Sequence, residues 1–316
     1  MKIGFLFSGQ GSQSVGMGKD IYEKYEVARK VYDEVEKITG IDVADITFNQ
    51  PAESLNQTKY TQICILTMSL AILKVLEDKN IKAEDSAGLS LGEYASLIYS
   101  GALSFEDGIS IVKKRGEYMQ NLLPEGDWKM AAVLGLDEKS VISACNSVKN
   151  GFVVPVNFNT IGQIVVSGDA EGISELQKIA TEYGAKKVRV LNTAGPFHTE
   201  KLVDAANALR KDLKKIKFHE FNSKVFKNID GYEYKNNDNM ADILARHIVN
   251  PVKFSDVLKN MYTDGVDTFV EIGPGKTLSG FVKRMNFENP VYIFNINNVD
   301  SLEFTIDSLK KNVEVF

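Results

Sequence analysis

The chain has 316 residues, of which 44% are hydrophobic, and it carries a formal net charge of −5 at pH 7. This length provides for one large domain with an insertion, or for two domains, and the composition is that of an ordinary globular protein with an ample core. The mild negative charge argues against a nucleic-acid-binding protein, which would carry a basic stripe.

Strand and helix patterns alternate along most of the chain. Outside the middle segment, the sequence predicts a strand at Lys2 to Phe7, helices at Lys19 to Ile38 and Thr61 to Asp78, a short strand at Glu84 to Ala87, helices at Leu91 to Ser100, Phe105 to Leu122 and Ala241 to Val249, and a strand at Thr268 to Ile272. Such alternation is typical of a parallel sheet covered by helices. We therefore predict a large α/β domain formed by residues 1–126 and 195–316.

The order of elements changes after residues 123–127, where a proline and a glycine break the helical pattern. The sequence then predicts a strand at Met130 to Leu134, a helix at Glu138 to Val148, strands at Phe152 to Asn157 and Gln163 to Ser167, a helix at Glu171 to Tyr183 and a strand at Lys187 to Leu191. This β-α-β-β-α-β order is ferredoxin-like. Residues 127–194 are therefore expected to form a small ferredoxin-like domain inserted into the large one.

Cysteine content and hydropathy indicate the cellular compartment of the protein. Cys64 and Cys145 lie far apart in apolar helical segments, so we interpret them as buried reduced thiols and not as a disulfide or metal site. Met1 to Phe7 has the pattern of a strand and not of a signal peptide. The most apolar helix, at Thr61 to Leu76, is short and interrupted by polar residues, so we expect a core helix and not a membrane span. These features favour a cytoplasmic protein without membrane contacts.

Gly88, Ser90 and Gly92 form a G-x-S-x-G pattern between a predicted strand and a predicted helix. A serine on such a turn, as in α/β-hydrolase-like folds, is pushed out of the backbone with its hydroxyl exposed. The glycines leave room for the turn, and the start of the helix offers free N–H groups to a developing negative charge. The pattern suits an acyl-transfer nucleophile, although it also occurs in plain turns.

A serine nucleophile needs a base, and the chain has three histidines. His219 lies in an alternating segment that we interpret as a solvated strand face. His247 lies near the end of a predicted helix and is interpreted as a helix-end residue. His198 follows a strand and a turn, at a loop-to-helix junction of the kind where catalytic residues concentrate. His198 is therefore the best candidate base for Ser90.

A second glycine turn, F-S-G-Q-G-S-Q at residues 7–13, follows the first strand. Its glycine spacing differs from a dinucleotide-binding fingerprint, and no Walker lysine follows it. Loops after parallel strands lie at the carboxyl edge of the sheet, so this loop is expected to face Ser90. An oxyanion hole would then combine the backbone N–H of Leu91 with that of Gln10.

These motifs together resemble those of the malonyl-CoA:acyl carrier protein transacylases of type II fatty acid synthesis. The matching segments are residues 7–13, Gly88 to Tyr94, Lys114-Arg115-Gly116 with Met119-Gln120, Val156-Asn157-Phe158-Asn159 with Gly162-Gln163, Gly195-Pro196-Phe197-His198, Asn250-Pro251-Val252 and Glu271-Ile272-Gly273-Pro274-Gly275. They occur in the family's order and span nearly the whole chain.

The resemblance implies a transfer reaction with a covalent intermediate. Ser90 would take the malonyl group from malonyl-CoA as an ester and pass it to acyl carrier protein. His198 would act first as general base and then as the acid that protonates the departing thiol. The backbone N–H groups of Gln10 and Leu91 would bind the oxyanion. No cofactor and no metal are implied.

Further residues take roles from the same resemblance. Arg115 would bind the free malonyl carboxylate, and the backbone carbonyl of His247 would orient His198. His247 stands where family members often have glutamine, a change that a backbone role tolerates. Met119, Asn159 and Phe197 are additional candidates for substrate contacts. A bulky ring at Phe197 would crowd an α-methyl branch, so we expect malonyl to be preferred over methylmalonyl.

Two other functions are compatible with the same motifs. A serine hydrolase or thioesterase could use Ser90 and His198, with Asp169 or Glu171 as a third, acidic member of a triad. A non-catalytic module that binds acyl carrier protein or coenzyme A is the other alternative, although such a module would be expected to have lost the serine or the histidine.

The acyl carrier protein implied by the resemblance is expected to be acidic. Lys186, Lys187 and Arg189, or Lys283 and Arg284, could offer it a basic surface.

Overall fold

The computed structural model describes residues 1–191 and 195–311. Its strands are β1 (Ile3–Phe7), β2 (Asp85–Gly88), β3 (Trp128–Leu134), β4 (Val153–Thr160), β5 (Gln163–Asp169), β6 (Lys187–Val190), β7 (Lys224–Val225), β8 (Thr268–Ile272) and β9 (Tyr292–Ile296). Its helices are α1 (Lys19–Lys24), α2 (Glu26–Thr39), α3 (Val43–Phe48), α4 (Ala52–Leu55), α5 (Thr58–Asp78), α6 (Gly92–Tyr99), α7 (Phe105–Asn121), α8 (Glu138–Ser147), α9 (Ala170–Glu182), α10 (Val203–Leu213), α11 (Met240–His247), α12 (Phe254–Thr263), α13 (Thr277–Arg284) and α14 (Val299–Lys310), with a 3-10 turn at Glu200–Leu202.

The larger sheet is parallel, with the strand order β7-β2-β1-β8-β9. Helices pack on both of its faces, which is why β1, β2 and β8 are buried along their whole length. Phe7 at the end of β1 is in register with Gly88 on one side and with Ile272 on the other. The loops after these three strands therefore emerge together at one edge, and the predicted hydrolase-like parallel sheet is confirmed.

The smaller sheet is antiparallel, with the order β4-β5-β3-β6. In the β-α-β-β-α-β chain order this corresponds to strands 2-3-1-4, the ferredoxin-like arrangement, so the predicted fold of the insertion is confirmed. Helices α8 and α9 cover one face and enclose a separate hydrophobic core. The domain boundaries at 126/127 and 194/195 stay a prediction, and Ala194 lies outside the described residues.

Two predicted elements differ from the structure, and two observed strands had no prediction. The single helix predicted at Lys19 to Ile38 is two helices, because Tyr25 adopts an extended conformation between α1 and α2. The segment around His219 is exposed, as predicted, but it forms no strand. The edge strands β7 and β9 were not predicted. A two-residue strand such as β7 carries no period that a sequence pattern could reveal.

Helix α5 is the centre of the larger core. With 21 residues it is long and apolar enough to cross a membrane by length and composition, so the predicted shortness was wrong. Its side chains are nevertheless buried almost all round, against α2, α7 and the sheet. The interpretation as a core helix is confirmed by this burial. Cys64 on α5 and Cys145 on α8 are both buried, which raises the pKa of each thiol to about 12.

Glycines let the turn after β2 press against β1. A Cβ atom at Gly92 would lie 2.2 Å from the carbonyl oxygen of Phe7, and one at Gly9 would lie 2.4 Å from the carbonyl oxygen of Leu89. Real Cβ atoms do not approach backbone atoms so closely, so only glycine allows this contact. The same contact brings the two loops that carry the candidate functional residues together.

Gly92→Ala is expected to destabilise the protein by about 1–3 kcal/mol or more, because the new methyl group must displace the backbone of β1. Gly280→Ala is the matched control: it also lies in a helix, and its Cβ would meet nothing within 4 Å. That change should instead stabilise by about 0.5–1 kcal/mol. Thermal or urea denaturation of both variants measures the difference, and equal effects would contradict the close contact at Gly92.

Candidate active site

Ser90 lies on the sharp turn between β2 and α6. Its φ is 53°, in the left-handed region that costs a non-glycine residue about 1–3 kcal/mol. The turn is held against the sheet because the N–H of Leu89 donates to the carbonyl of Phe7 at 3.0 Å. A serine in this strained position at the end of a parallel strand has the geometry of a nucleophile elbow.

His198 is the residue that faces this serine. Its Nε2 lies 2.9 Å from Ser90 Oγ, and its Nδ1 lies 2.9 Å from the backbone carbonyl of His247. A carbonyl can only accept, so Nδ1 carries the proton and Nε2 is the bare nitrogen that can take a proton from the serine. The predicted pairing of Ser90 with His198 and the predicted backbone contact of His247 are both present in this geometry.

The surroundings keep the imidazole of His198 neutral. The side chain is buried, and this burial holds its pKa well below the usual value, with further lowering from the neighbouring His247 and Arg115. The ring of His247 lies 5.1 Å away, centroid to centroid. At neutral pH the ring is therefore uncharged, and Nε2 carries no proton.

Arg115, on α7, is a fully buried cation beside the serine. Its Nη2 donates to Ser90 Oγ at 3.0 Å, and its Nη1 donates to Gln62 Oε1 at 2.6 Å. Tyr94 stacks near it, with its ring centroid 5.5 Å from the guanidinium carbon. Within residues 1–191 and 195–311, Arg115 is paired with no carboxylate and its Nε has no acceptor. Burial lowers the pKa of Arg115, so the site would gain from an incoming anion.

Two backbone donors next to Ser90 are unused. Among the described residues, neither the N–H of Gln10 nor the N–H of Leu91 has a hydrogen-bond acceptor. The N–H of Ser90, in contrast, donates to the side chain of Asn228. Gln10 follows β1 and Leu91 follows β2, so both lie at the edge where the parallel strands end. Both are free to donate to a negatively charged oxygen at this edge.

A cavity of about 690 Å³ opens in front of the serine. It lies between the edge of the large sheet and the small sheet, since β3, β4 and β5 supply one wall while the loop after β1 and the start of α13 supply the other. Ser90, His198, Met119, Asn159 and Phe197 all line it. The buried Oδ1 of Asn159 has no hydrogen-bond partner in the described chain, as expected of a group that binds a ligand.

Several neighbours of the site were not predicted from the sequence. Gln62 on α5 bonds Arg115, and its Nε2 lies 3.4 Å from both Gln10 Oε1 and Met119 Sδ. Asn228 donates to the carbonyl of Gly88 and accepts from the N–H of Ser90. The side chain of His247, for which only a backbone contact was predicted, lies 3.0 Å from the buried carboxylate of Glu93. Of these unpredicted neighbours, only Gln62 could have been found from the sequence, because it is a polar residue in an apolar helix.

The acidic residues considered for a catalytic triad have other partners. Asp169 accepts hydrogen bonds from the backbone N–H groups of Gly172 and Phe152, and it caps α9 in the small domain. Glu171 lies in the first turn of the same helix. Since Nδ1 of His198 is bonded to a carbonyl, neither carboxylate takes the position of a third triad member.

Comparison with known proteins identifies the family of the chain. The acyl transferase domain family matches residues 4–292. A malonyl CoA-acyl carrier protein transacylase from Bacillus subtilis (strain 168) is 36% identical over 98% of both chains. The chain belongs to the malonyl-CoA:acyl carrier protein transacylases.

Solved structures of this family share the whole fold. The crystal structure of a malonyl CoA-acyl carrier protein transacylase from Clostridium perfringens is 40% identical and superposes with a TM-score of 0.92, covering 99% of this chain and 98% of that one. A malonyl-transacylase solved in complex with its type II PKS acyl-carrier protein is 32% identical, with a TM-score of 0.93 over 98% of this chain and 100% of that one.

The lowered pKa of His198 predicts how this transacylase responds to acid. As the pH falls through 6.5, the ring signals of His198 in an NMR titration should stay those of the neutral imidazole, because burial and nearby positive charge oppose protonation. A His198→Ala variant identifies its signals among the three histidines. Arg115→Met should raise the midpoint, since it removes one opposing charge. A midpoint at or above 6.5 in the unaltered protein would contradict this environment.

Proposed function

We propose that this transacylase moves the malonyl group through an ester on Ser90, with His198 as its proton carrier. The protein transfers malonyl from malonyl-CoA to acyl carrier protein, and supplies fatty acid synthesis. The observation that carries the residue assignment is the chain of two 2.9 Å contacts from Ser90 Oγ to His198 Nε2 and from His198 Nδ1 to the carbonyl of His247.

The first half-reaction forms the ester. Ser90 Oγ attacks the thioester carbonyl of malonyl-CoA while its proton passes to Nε2 of His198. The negative charge on the carbonyl oxygen is bound by the free N–H groups of Gln10 and Leu91, a kind of contact worth about 2.7–4 kcal/mol of barrier for each donor. When the intermediate collapses, the C–S bond breaks and His198 returns the proton to the coenzyme A sulfur.

The second half-reaction repeats these steps with a different thiol. The phosphopantetheine thiol of acyl carrier protein gives its proton to His198 and attacks the ester carbonyl of malonyl-Ser90. The C–O bond breaks, and His198 protonates Ser90 Oγ. Coenzyme A must leave before the carrier reacts, so the kinetics are ping-pong.

Arg115 selects the acyl group in this proposal. Its guanidinium is buried, next to the serine and free of any described carboxylate, so the malonyl carboxylate can accept two parallel hydrogen bonds from it. An acetyl group would leave the cation without this partner. Phe197, which lines the cavity, would further limit branching next to the carbonyl.

We place the protein in the cytoplasm and expect acyl carrier protein to dock at the mouth of the cavity. Cys64 and Cys145 are free and buried, as is usual in a reducing compartment. Of the basic residues considered for carrier docking, Arg189 lines the mouth of the cavity. An acidic carrier that approaches this mouth would bring its phosphopantetheine arm towards Ser90.

Intact-protein mass spectrometry after brief mixing with malonyl-CoA tests the proposed intermediate. We expect a malonyl adduct that maps to Ser90, persists in buffer, and disappears when acyl carrier protein is added. Ser90→Ala should form no adduct. An adduct that decays in buffer alone would favour the hydrolase, and the absence of an adduct on the unaltered enzyme would favour the binding module.

Arg115→Ala should lower kcat/KM for malonyl-CoA by about 10- to 150-fold, the factor that corresponds to about 1.5–3 kcal/mol for a hydrogen bond to a charged group. Acetyl-CoA, which lacks the carboxylate, should be used as well as before or better. Arg115→Lys keeps the charge without the planar fork and should fall between the two. Undiminished malonyl transfer by Arg115→Ala would overturn this assignment.

A further inference from the structure

The side chain of Asn228 spans the turn that carries Ser90. Its Nδ2 donates to the carbonyl of Gly88 at 2.7 Å, and its Oδ1 accepts from the N–H of Ser90 at 2.8 Å. Asn228 is completely buried and follows β7, the strand that pairs with β2. One planar amide, in the loop after the neighbouring strand, therefore bonds both the carbonyl of Gly88 and the N–H of Ser90.

This bridge has two consequences for the serine. It holds the backbone at Ser90, where φ is 53° and the conformation would otherwise relax. It also occupies the N–H of Ser90, which leaves the N–H of Leu91 as the free donor at the turn. Both effects bear on where the serine oxygen and the oxyanion donor point.

The carboxylate of Glu93 connects Asn228 to the histidine. Glu93 lies in the first turn of α6 and is 1% exposed. Its Oε1 accepts from the hydroxyl of Tyr234 at 2.6 Å and from the backbone N–H of Asn228 at 3.4 Å. Its Oε2 lies 3.0 Å from Nδ1 of His247, the residue whose carbonyl orients His198, in a close contact that lacks hydrogen-bond geometry. A buried carboxylate is retained only with such partners, because an unpaired one is costly.

We propose that Asn228 and Glu93 are positioning residues that set the distance between Ser90 and His198, Asn228 by holding the serine turn and Glu93 by tying that turn to the end of α11. This inference rests on the proposed function of Ser90 and His198. Neither Asn228 nor Glu93 lines the cavity, so they act on the reaction through the two residues that they hold.

The first test is the rate of malonyl-Ser90 formation in Asn228→Ala. We expect this rate to fall about 100-fold, the loss that displacement of a reacting group by about 1 Å can cause. The Kd for malonyl-CoA, measured in a Ser90→Ala background to prevent turnover, should not change, because Arg115 and the cavity are untouched. Labelling of Ser90 by a fluorophosphonate probe should slow in parallel, since it needs the activated serine but not malonyl recognition.

Asn260→Ala is the matched control. Asn260, on α12, also donates its side-chain amide to a backbone carbonyl, that of Gly231 at 2.9 Å. Gly231 lies three residues after Asn228, and this bond does not involve the serine turn. Asn260→Ala should lower thermal stability without slowing acylation. If Asn228→Ala and Asn260→Ala acylate at the same rate, Asn228 is only structural and the proposal is overturned.

A second pair of variants tests the carboxylate and covers the case in which Asn228→Ala does not fold. Glu93→Gln keeps an oxygen for Tyr234 and for the N–H of Asn228, so it should acylate faster than Glu93→Ala. Equal rates for the two would contradict the role of Glu93. An unaltered enzyme that forms no malonyl-Ser90 would overturn the proposed function as well, whereas normal acylation in Asn228→Ala would overturn the positioning role alone.

Discussion

The close contact between the loop after β1 and the turn after β2 is the constraint on which the site depends. Parallel pairing brings the ends of the two strands to the same level, and glycines at positions 9 and 92 remove the side chains that would hold their backbones apart. The strained serine and both free N–H donors result from this approach. A parallel sheet offers such a meeting point wherever two adjacent strands end together.

The neutral imidazole of His198 and the free N–H groups beside Ser90 are already in place in the protein without substrate. His198 is kept neutral by burial and by nearby positive charge, so its Nε2 carries no proton at neutral pH. The N–H groups of Gln10 and Leu91 are held by backbone next to the ends of β1 and β2, and neither has an acceptor among the described residues. The histidine needs no carboxylate behind it, because the carbonyl of His247 at the end of α11 fixes its tautomer and orientation.

Patterns that are local in the sequence predicted most of this fold. The ferredoxin-like order was readable because each of its elements is long enough to show its own period, and Ser90 was readable because its glycines are its neighbours. The role of Asn228 could not be predicted from a local pattern, since Asn228 bonds a turn that lies 138 residues earlier in the chain. Likewise, nothing beside Glu93 in the sequence indicates that its carboxylate is buried against His247 and Tyr234. Such contacts follow from which strands become neighbours, and the two-residue β7 gives no sign of that in its sequence.

The buried guanidinium of Arg115 ties the activity of the protein to its stability. Folding must remove this cation from water and supplies a neutral amide, a hydroxyl and the ring of Tyr94 in exchange, with no described anion to balance it. A buried cation without an anionic partner is expected to make the fold less stable than an apolar side chain of similar size would. Selection for stability alone would favour that apolar side chain, so stability does not explain an arginine at this position.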